Sequence, residues 1–298
     1  VIPAPGIYAD VPMADYVRDP CPAPSLNHSV AHALLTQSAW HAWHAHPRLN
    51  PHWHSDANGA SDLGTIAHAL LIEGNESAVE VVNADSWRTN EAKAKREAAR
   101  AAGKAPILVA AYAAVKEMVE AARAALGRSE FDWATMTDTE RTIAWAEHGL
   151  WLRGRPDWMA SDKAVVVDYK TTAGSAQPDE WARGPMYRNG YDLQAALVLR
   201  GLAALDATRK PPVFVFAVQE TEAPYGLSLV SLSPAYLEFA NHRLASAIAQ
   251  YRYCIENSKW PSYTGRVAYV DPPGWATYQW DVQHDNDDRR PLAEQLGA

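Results

Sequence analysis

The chain has 298 residues, a formal charge of −8, twelve tryptophans and two cysteines. That length can bury a sizeable core in one large domain, and no apolar run approaches the ~18 residues of a membrane span, so a soluble, cytoplasmic protein with no membrane association is expected. An excess of Asp and Glu (35) over Lys and Arg (27) excludes nonspecific coating of nucleic acid, which depends on basic side chains, but leaves room for a basic groove on an acidic body. Cys21 and Cys254 alone suit a reducing compartment and exclude a four-cysteine iron–sulfur cluster.

Residues 1–24 are proline-rich with little periodicity and read as an irregular arm. Ser25 is placed to cap a helix through His28, Ala31, Leu34 and Leu35. Residues 40–54, rich in His, Trp and Pro, read as a loop or broken helix. Asp62 is placed to cap a helix over 63–73 that carries His68. Arg88, Lys93, Lys95, Arg96, Arg100 and Lys104 form a basic cluster that reads equally as a solvated helix face or a phosphate-binding surface. Leu108, Tyr112, Val115, Val119 and Ala122 at helical spacing make 105–126 the clearest helix.

Segments 140–147, 150–159 and 164–170 then read as a three-stranded meander, with His148-Gly149 as the first turn and 160–163 as the second. A helix over 188–205, strands at 213–219 and 227–232, and a helix opened by Ser233-Pro234 and reaching 256 complete the order. Residues 257–298 form a C-terminal extension expected to pack on the core or on a neighbouring subunit. The fold class is α/β, of the α+β kind, with a central mixed sheet flanked by helices.

The chemistry concentrates in the last two strands of the meander. Alternation along Val165-Val166-Val167-Asp168-Tyr169-Lys170 puts Asp168 and Lys170 on one face with Val166, and Val165, Val167 and Tyr169 on the other. An acid and an amine at the end of a β-branched strand are costly to bury unless paired or bound to something. The turn brings Asp157 of Gly154-Arg155-Pro156-Asp157 back beside Asp168.

This Asp, spacer, Asp-x-Lys arrangement resembles the PD-(D/E)XK nuclease superfamily. Four motifs in order, Gly64-Thr65-Ile66-Ala67-His68-Ala69-Leu70-Leu71-Ile72-Glu73, Gly154-Arg155-Pro156-Asp157, Val167-Asp168-Tyr169-Lys170-Thr171-Thr172 and Tyr191-Asp192-Leu193-Gln194, resemble its RecE (exonuclease VIII) type. Pro24-Ser25-Leu26-Asn27-His28-Ser29 and His46-Pro47-Arg48-Leu49-Asn50 are similar to the entry segment of that family, so the resemblance spans roughly 15–256 and implies a restriction-endonuclease-like nuclease domain over 25–256.

The resemblance implies hydrolysis of phosphodiester bonds from linear double-stranded DNA ends, 5′ to 3′, with Mg²⁺ or alternatively Mn²⁺. It assigns His68, Asp157, Asp168 and the Tyr169 carbonyl to the metal, and Lys170 to the attacking water and the transition state. Glu140 falls where the family places an acid near a second metal, and Gln194 where a side chain contacts the metal-associated water or the phosphate. The family's tyrosine four residues after that glutamine is Val198 here, which leaves Tyr191 as a partial substitute. A ring-shaped homo-oligomer, a single-strand annealing partner and phage-type recombination in a bacterial or phage-infected cell are further implications.

Three alternatives stand beside this reading: an endonuclease on the same site, a non-catalytic DNA-binding scaffold, and a zinc hydrolase built on the histidine-rich segment. For the last, His28 and His32 at i,i+4 are suggestive, but no cysteine or acid sits at a supporting spacing.

Overall fold

The computed structural model describes residues 1–54 and 62–284. The chain divides into two compact units, Val1–Pro261 and Ser262–Ala298.

In the first unit the arm is not irregular throughout. It contains β1 (Gly6–Tyr8) and α1 (Met13–Val17), followed by β2 (Ser25–Leu26), α2 (His28–Thr36) and α3 (Ala39–Ala45). Ser25 is not the expected helix cap. It lies in β2 with its side chain and amide bound to Asp19, and Asn27 caps α2 by accepting the Val30 N–H at 2.9 Å. The stretch expected as loop or broken helix holds α3, capped by Ser38.

Next come α4 (Asp62–Leu71), β3 (Val79–Val82), α5 (Asn90–Ala101), β4 (Ala105–Leu108) and α6 (Val109–Leu126). The Asp62 side chain, expected as a cap, lies outside the described residues. The expected 105–126 helix is shorter than its periodicity indicates: its first four residues pair in parallel with β3. Pro106 forces Ala105 extended and has no N–H to give a helix.

The meander is divided between two sheets. β6 (Thr142–Glu147) and β7 (Leu150–Gly154) form the expected hairpin, with β1 and β2 on its edges. The short β5 (Asp138–Thr139), β8 (Trp158–Met159) and β9 (Val165–Thr172) belong to a second, mixed sheet of order β11-β10-β9-β8-β5, with β10 (Val213–Glu220) and β11 (Leu227–Ser231). Between β7 and β8 stands Pro156, which cannot donate to a ladder, and the chain changes sheet there. Between β9 and β10 run α7 (Pro178–Trp181) and α8 (Tyr191–Leu205), and α9 (Pro234–Asn257) follows β11 with Ser233 as its cap. α8 starts three residues later than 188 because Gly190, at φ +68°, breaks the helical path.

β9 separates two cores, as its alternation requires. Val165, Val167 and Tyr169 pack with Ile66, Leu70, Val115 and Val119 of α4 and α6. Val166 packs with Leu193 and Leu197 of α8 and Leu244 of α9. The polar end of the strand is therefore held between two rigid layers, with Asp168 1% exposed. The second unit carries α10 (Gly274–His284). Among the described residues no helix is long and apolar enough to cross a membrane.

Candidate active site and metal-binding cluster

Each residue of Gly154-Arg155-Pro156-Asp157 has a separate task. A Cβ on Gly154 would lie 3.0 Å from Val198 Cγ2, so the glycine lets β7 close on α8. Arg155 projects on the opposite side, Pro156 turns the chain into the second sheet, and Asp157 arrives beside β9, where its Oδ2 accepts the Tyr169 N–H at 2.6 Å. On α4, Gly64 does for the helix what Gly154 does for the strand: a Cβ there would stand 2.9 Å from Thr171 Oγ1. One turn further on, His68 reaches the carboxylates.

His68 Nε2 lies 3.0 Å from Asp157 Oδ1 and 2.9 Å from Glu140 Oε1, and its Nδ1 lies 3.5 Å from Glu73 Oε1. Burial disfavours charge on this imidazole, but the surrounding carboxylates of Asp157, Glu140 and Glu73 outweigh it and push its pKa up to about 12. Burial would raise Asp157, yet His68, Lys170 and the Tyr169 N–H hold its carboxyl below the usual range. In this arrangement a proton on His68 is the cation that keeps two carboxylates together.

Glu140 is in neither β5 nor β6. It sits between them at φ +54°, with its N–H donated to the Asp157 carbonyl at 3.0 Å. Its Oε2 accepts from Arg155 Nε at 2.5 Å. Its Oε1 is buried without a hydrogen-bond donor, because one N–H of His68 cannot serve Asp157 and Glu140 together.

Asp168 faces the other way. One oxygen accepts from Lys170 Nζ and the other from Gln194 Nε2. Burial pushes Asp168 up to about 7 against the pull of Lys170, and the Asp157 charge adds to the rise. Burial works against the lysine charge too, but Asp168 and Asp157 hold it above its ordinary value. The Lys170 ammonium also lies 5.0 Å from the centroid of the Tyr191 ring.

Of the four residues that the resemblance assigns to the metal, the structure thus gathers His68 and Asp157 and joins Glu140 to them. Among the described residues this trio is the one group of three or more that could hold a metal ion, its ligand atoms all within 4.8 Å of one another. Asp168 is engaged by the nearest cation, and Gln194 by Asp168. Tyr169 gives its N–H to Asp157 and its phenol to Gln219 Oε1 at 2.6 Å. The donor set of imidazole and carboxylate oxygens, with one buried oxygen lacking a donor, fits a hard divalent ion of the Mg²⁺ or Mn²⁺ kind. The histidine-rich segment assembles no such group among the described residues. There His46 is a fully buried partner of the Ser25 carbonyl, and His28 sits against the Asn189 carbonyl.

His68, Glu140 and Lys170 open onto a cleft of about 1020 Å³, walled also by Thr65, Thr171, Tyr191 and Met13, and Asp157 adjoins it through His68. Sequence reasoning gave no role to Glu73, which steadies His68 from just beyond the end of α4, or to the link from Arg155 to Glu140. The signals were present, an acid five residues after the histidine and an arginine inside the motif, but only the fold shows what they face.

A mixed sheet whose central strand carries Asp-x-Lys, with a second aspartate delivered beside it from the neighbouring strand, defines the PD-(D/E)XK nuclease fold. The chain belongs to the family described as PDDEXK-like domain of unknown function (DUF3799), whose model matches residues 34–273. Among solved structures it is similar to a protein of Eubacterium rectale described as a "Putative exonuclease", with a TM-score of 0.53 and 12% identity over 85% of this chain and 92% of that one. Comparison with curated proteins gave no match.

Proposed function

We propose that the protein is a metal-dependent DNA exonuclease of the RecE-like type, hydrolysing phosphodiester bonds from the ends of linear double-stranded DNA. The observation that carries this reading is the convergence of His68, Glu140 and Asp157 next to the Lys170–Asp168 pair, with His68, Glu140 and Lys170 at the wall of one open cleft. His68, Glu140 and Asp157 would hold the ion, with Asp168 and the Tyr169 carbonyl as further ligands once Asp168 is released from Lys170. When bound, a divalent cation offsets charge on the scissile phosphate and lowers the pKa of water.

The remaining work falls to the chain's own groups. Lys170, charged and aimed by Asp168 and the Tyr191 ring, donates hydrogen bonds toward the attacking water and the phosphate oxygens. Gln194 fixes Asp168 and, when the carboxylate shifts, presents its amide to the same water or phosphate. The ordered motifs support an end-directed reaction with 5′ to 3′ polarity, a ring-shaped homo-oligomer, a single-strand annealing partner, and a cytoplasmic setting in phage-type recombination.

Digestion of linear and covalently closed circular duplex with Mg²⁺ or Mn²⁺, comparing wild type with Asp157→Ala, tests the reading. Loss of linear DNA alone, abolished by the substitution, is expected. Cutting of the circle makes the protein an endonuclease on the same site, and absence of cleavage with either ion leaves a DNA-binding scaffold.

A further inference from the structure

We infer that the N-terminal arm is a working part of the cation site: Tyr16 and the Val11 carbonyl position Arg155, and Arg155 in turn orients Glu140. The inference rests on reading His68, Glu140 and Asp157 as ligands.

The sequence puts Arg153 and Arg155 two residues apart along the end of β7, so both project to the same side, toward the arm. Their guanidinium carbons lie 5.2 and 5.5 Å from the centroid of the Tyr16 ring on α1. Arg153 anchors the arrangement. It is 1% exposed, lies 3.1 Å from Asp19 Oδ1 and donates to the Ser25 carbonyl at 3.2 Å. Asp19 in turn accepts the Ser25 N–H at 2.8 Å. The arm is therefore tied to the core immediately after α1.

Arg155 stands at the other end of this link, its side chain 9% exposed. Its Nη1 donates to the Val11 carbonyl at 2.6 Å and, more weakly, to the Thr142 hydroxyl at 3.4 Å, while its Nε donates to Glu140 Oε2. The guanidinium is planar and rigid, so a displacement at the Val11 edge is transmitted to the Glu140 edge.

Glu140 depends on such a hold. It lies outside any strand at φ +54°, and no ladder fixes the direction of its side chain. With Oε2 committed to Arg155, Oε1 is left facing His68, buried and without a donor. One oxygen is thus used for orientation and the other remains for the ion. A half-buried ion pair of this kind is weak evidence of stabilisation, but outer partners of this sort commonly set ligand affinity by ~10–100-fold. Tyr16 is on this account a positioning residue that touches neither ion nor substrate.

The test is Mn²⁺ binding to the 298-residue chain, read by electron paramagnetic resonance, for wild type, Tyr16→Ala, Tyr16→Phe and Ile2→Ala, with melting followed by circular dichroism. Ile2 packs on Cys21 and Ala144 and controls for general loosening of the arm. Tyr16→Ala is expected to weaken Mn²⁺ binding by about tenfold or more. Tyr16→Phe, which keeps the ring, should stay within about twofold of wild type, as should Ile2→Ala, and excess Mn²⁺ should restore cleavage by Tyr16→Ala. Wild-type affinity in Tyr16→Ala overturns the inference alone, as does a loss in Ile2→Ala equal to that in Tyr16→Ala. No Mn²⁺ binding by wild type overturns the cation-site reading itself and the inference with it.

Discussion

Lys170 has two partners that fix its ammonium, a carboxylate and an aromatic ring, and neither is the proposed substrate. Its removal therefore takes away a positioned proton donor while His68, Glu140 and Asp157 keep their places. Lys170→Ala is expected to lower cleavage by about 100-fold or more and to leave Mn²⁺ affinity near wild type, measured by single-turnover digestion and titration. Undiminished cleavage would remove the lysine from the mechanism. His46 illustrates a different use of a titratable group. Its Nδ1 accepts the Arg48 N–H at 3.1 Å, which only an unprotonated nitrogen can do, and its other nitrogen meets the Ser25 carbonyl at 3.1 Å. Burial lowers its pKa from 6.5 to about 4, partly opposed by Asp19. A depressed histidine is neutral in the folded protein while the unfolded chain takes up the proton. Its contribution is thus fully present above pH 6.5 and is lost as pH falls through about 4, amounting to about 3 kcal/mol at most. Urea unfolding between pH 7.5 and 4.5 should show this loss, and His46→Gln should flatten the curve relative to wild type. Equal slopes would mean that His46 does not carry the dependence.

Among the elements, the contact of β7 with α8 bears most directly on the site, since β7 delivers Asp157 and α8 carries Gln194. That contact depends on the missing side chain of residue 154, opposite a fully buried Val198. Gly154→Val should cost about 1–3 kcal/mol by overpacking. Val198→Ala in the same chain should recover part of that cost, and additive losses in a double-mutant cycle of melting data would show that the two positions do not meet. Much at this scale was legible beforehand. The alternation of 165–170 assigned each side chain of β9 to its layer, the helix opened by Ser233-Pro234 followed from capping, and the helix expected over 188–205 was right from Tyr191 on. Two of the errors share a cause. Pro106 and Pro156 each override the apolar pattern around them, one converting the start of a helix into a strand and the other dividing a meander between two sheets. Periodicity reports which face is buried, not which sheet a strand joins. For the same reason Asp157, Asp168 and Lys170 could be picked out by residue type and spacing, and His68 by the resemblance of its motif. The turn of Asp168 toward Lys170 and Gln194, and the bond from Arg155 to Glu140, depend on side-chain directions that no spacing specifies.

At the scale of the whole molecule the question is how a chain of formal charge −8 would hold the proposed polyanionic substrate. The basic cluster on and around α5 is partly neutralised, because several of its charges are matched by neighbouring acids: Lys95 by Glu91 at 2.7 Å, Lys104 by Glu80 at 2.9 Å, and Arg96 by Glu97 at 3.5 Å. The cleft is no more inviting. Glu73 and Glu140 at its wall, with Asp157 and Asp168 just behind, outnumber Arg155 and Lys170, and His68 must give up its proton to serve as a ligand. A divalent ion balances that excess, so affinity for DNA should be conditional on the metal rather than a standing property of the surface. Lys170→Ala, which leaves the substrate intact, permits the measurement. Fluorescence anisotropy with an end-labelled duplex should show binding in Mg²⁺ that weakens by about tenfold or more in EDTA, with only a shallow dependence on monovalent salt because few phosphates are contacted. Equal affinity in EDTA would place the duplex on another surface, and a steep salt dependence would identify that surface as a row of lysines and arginines.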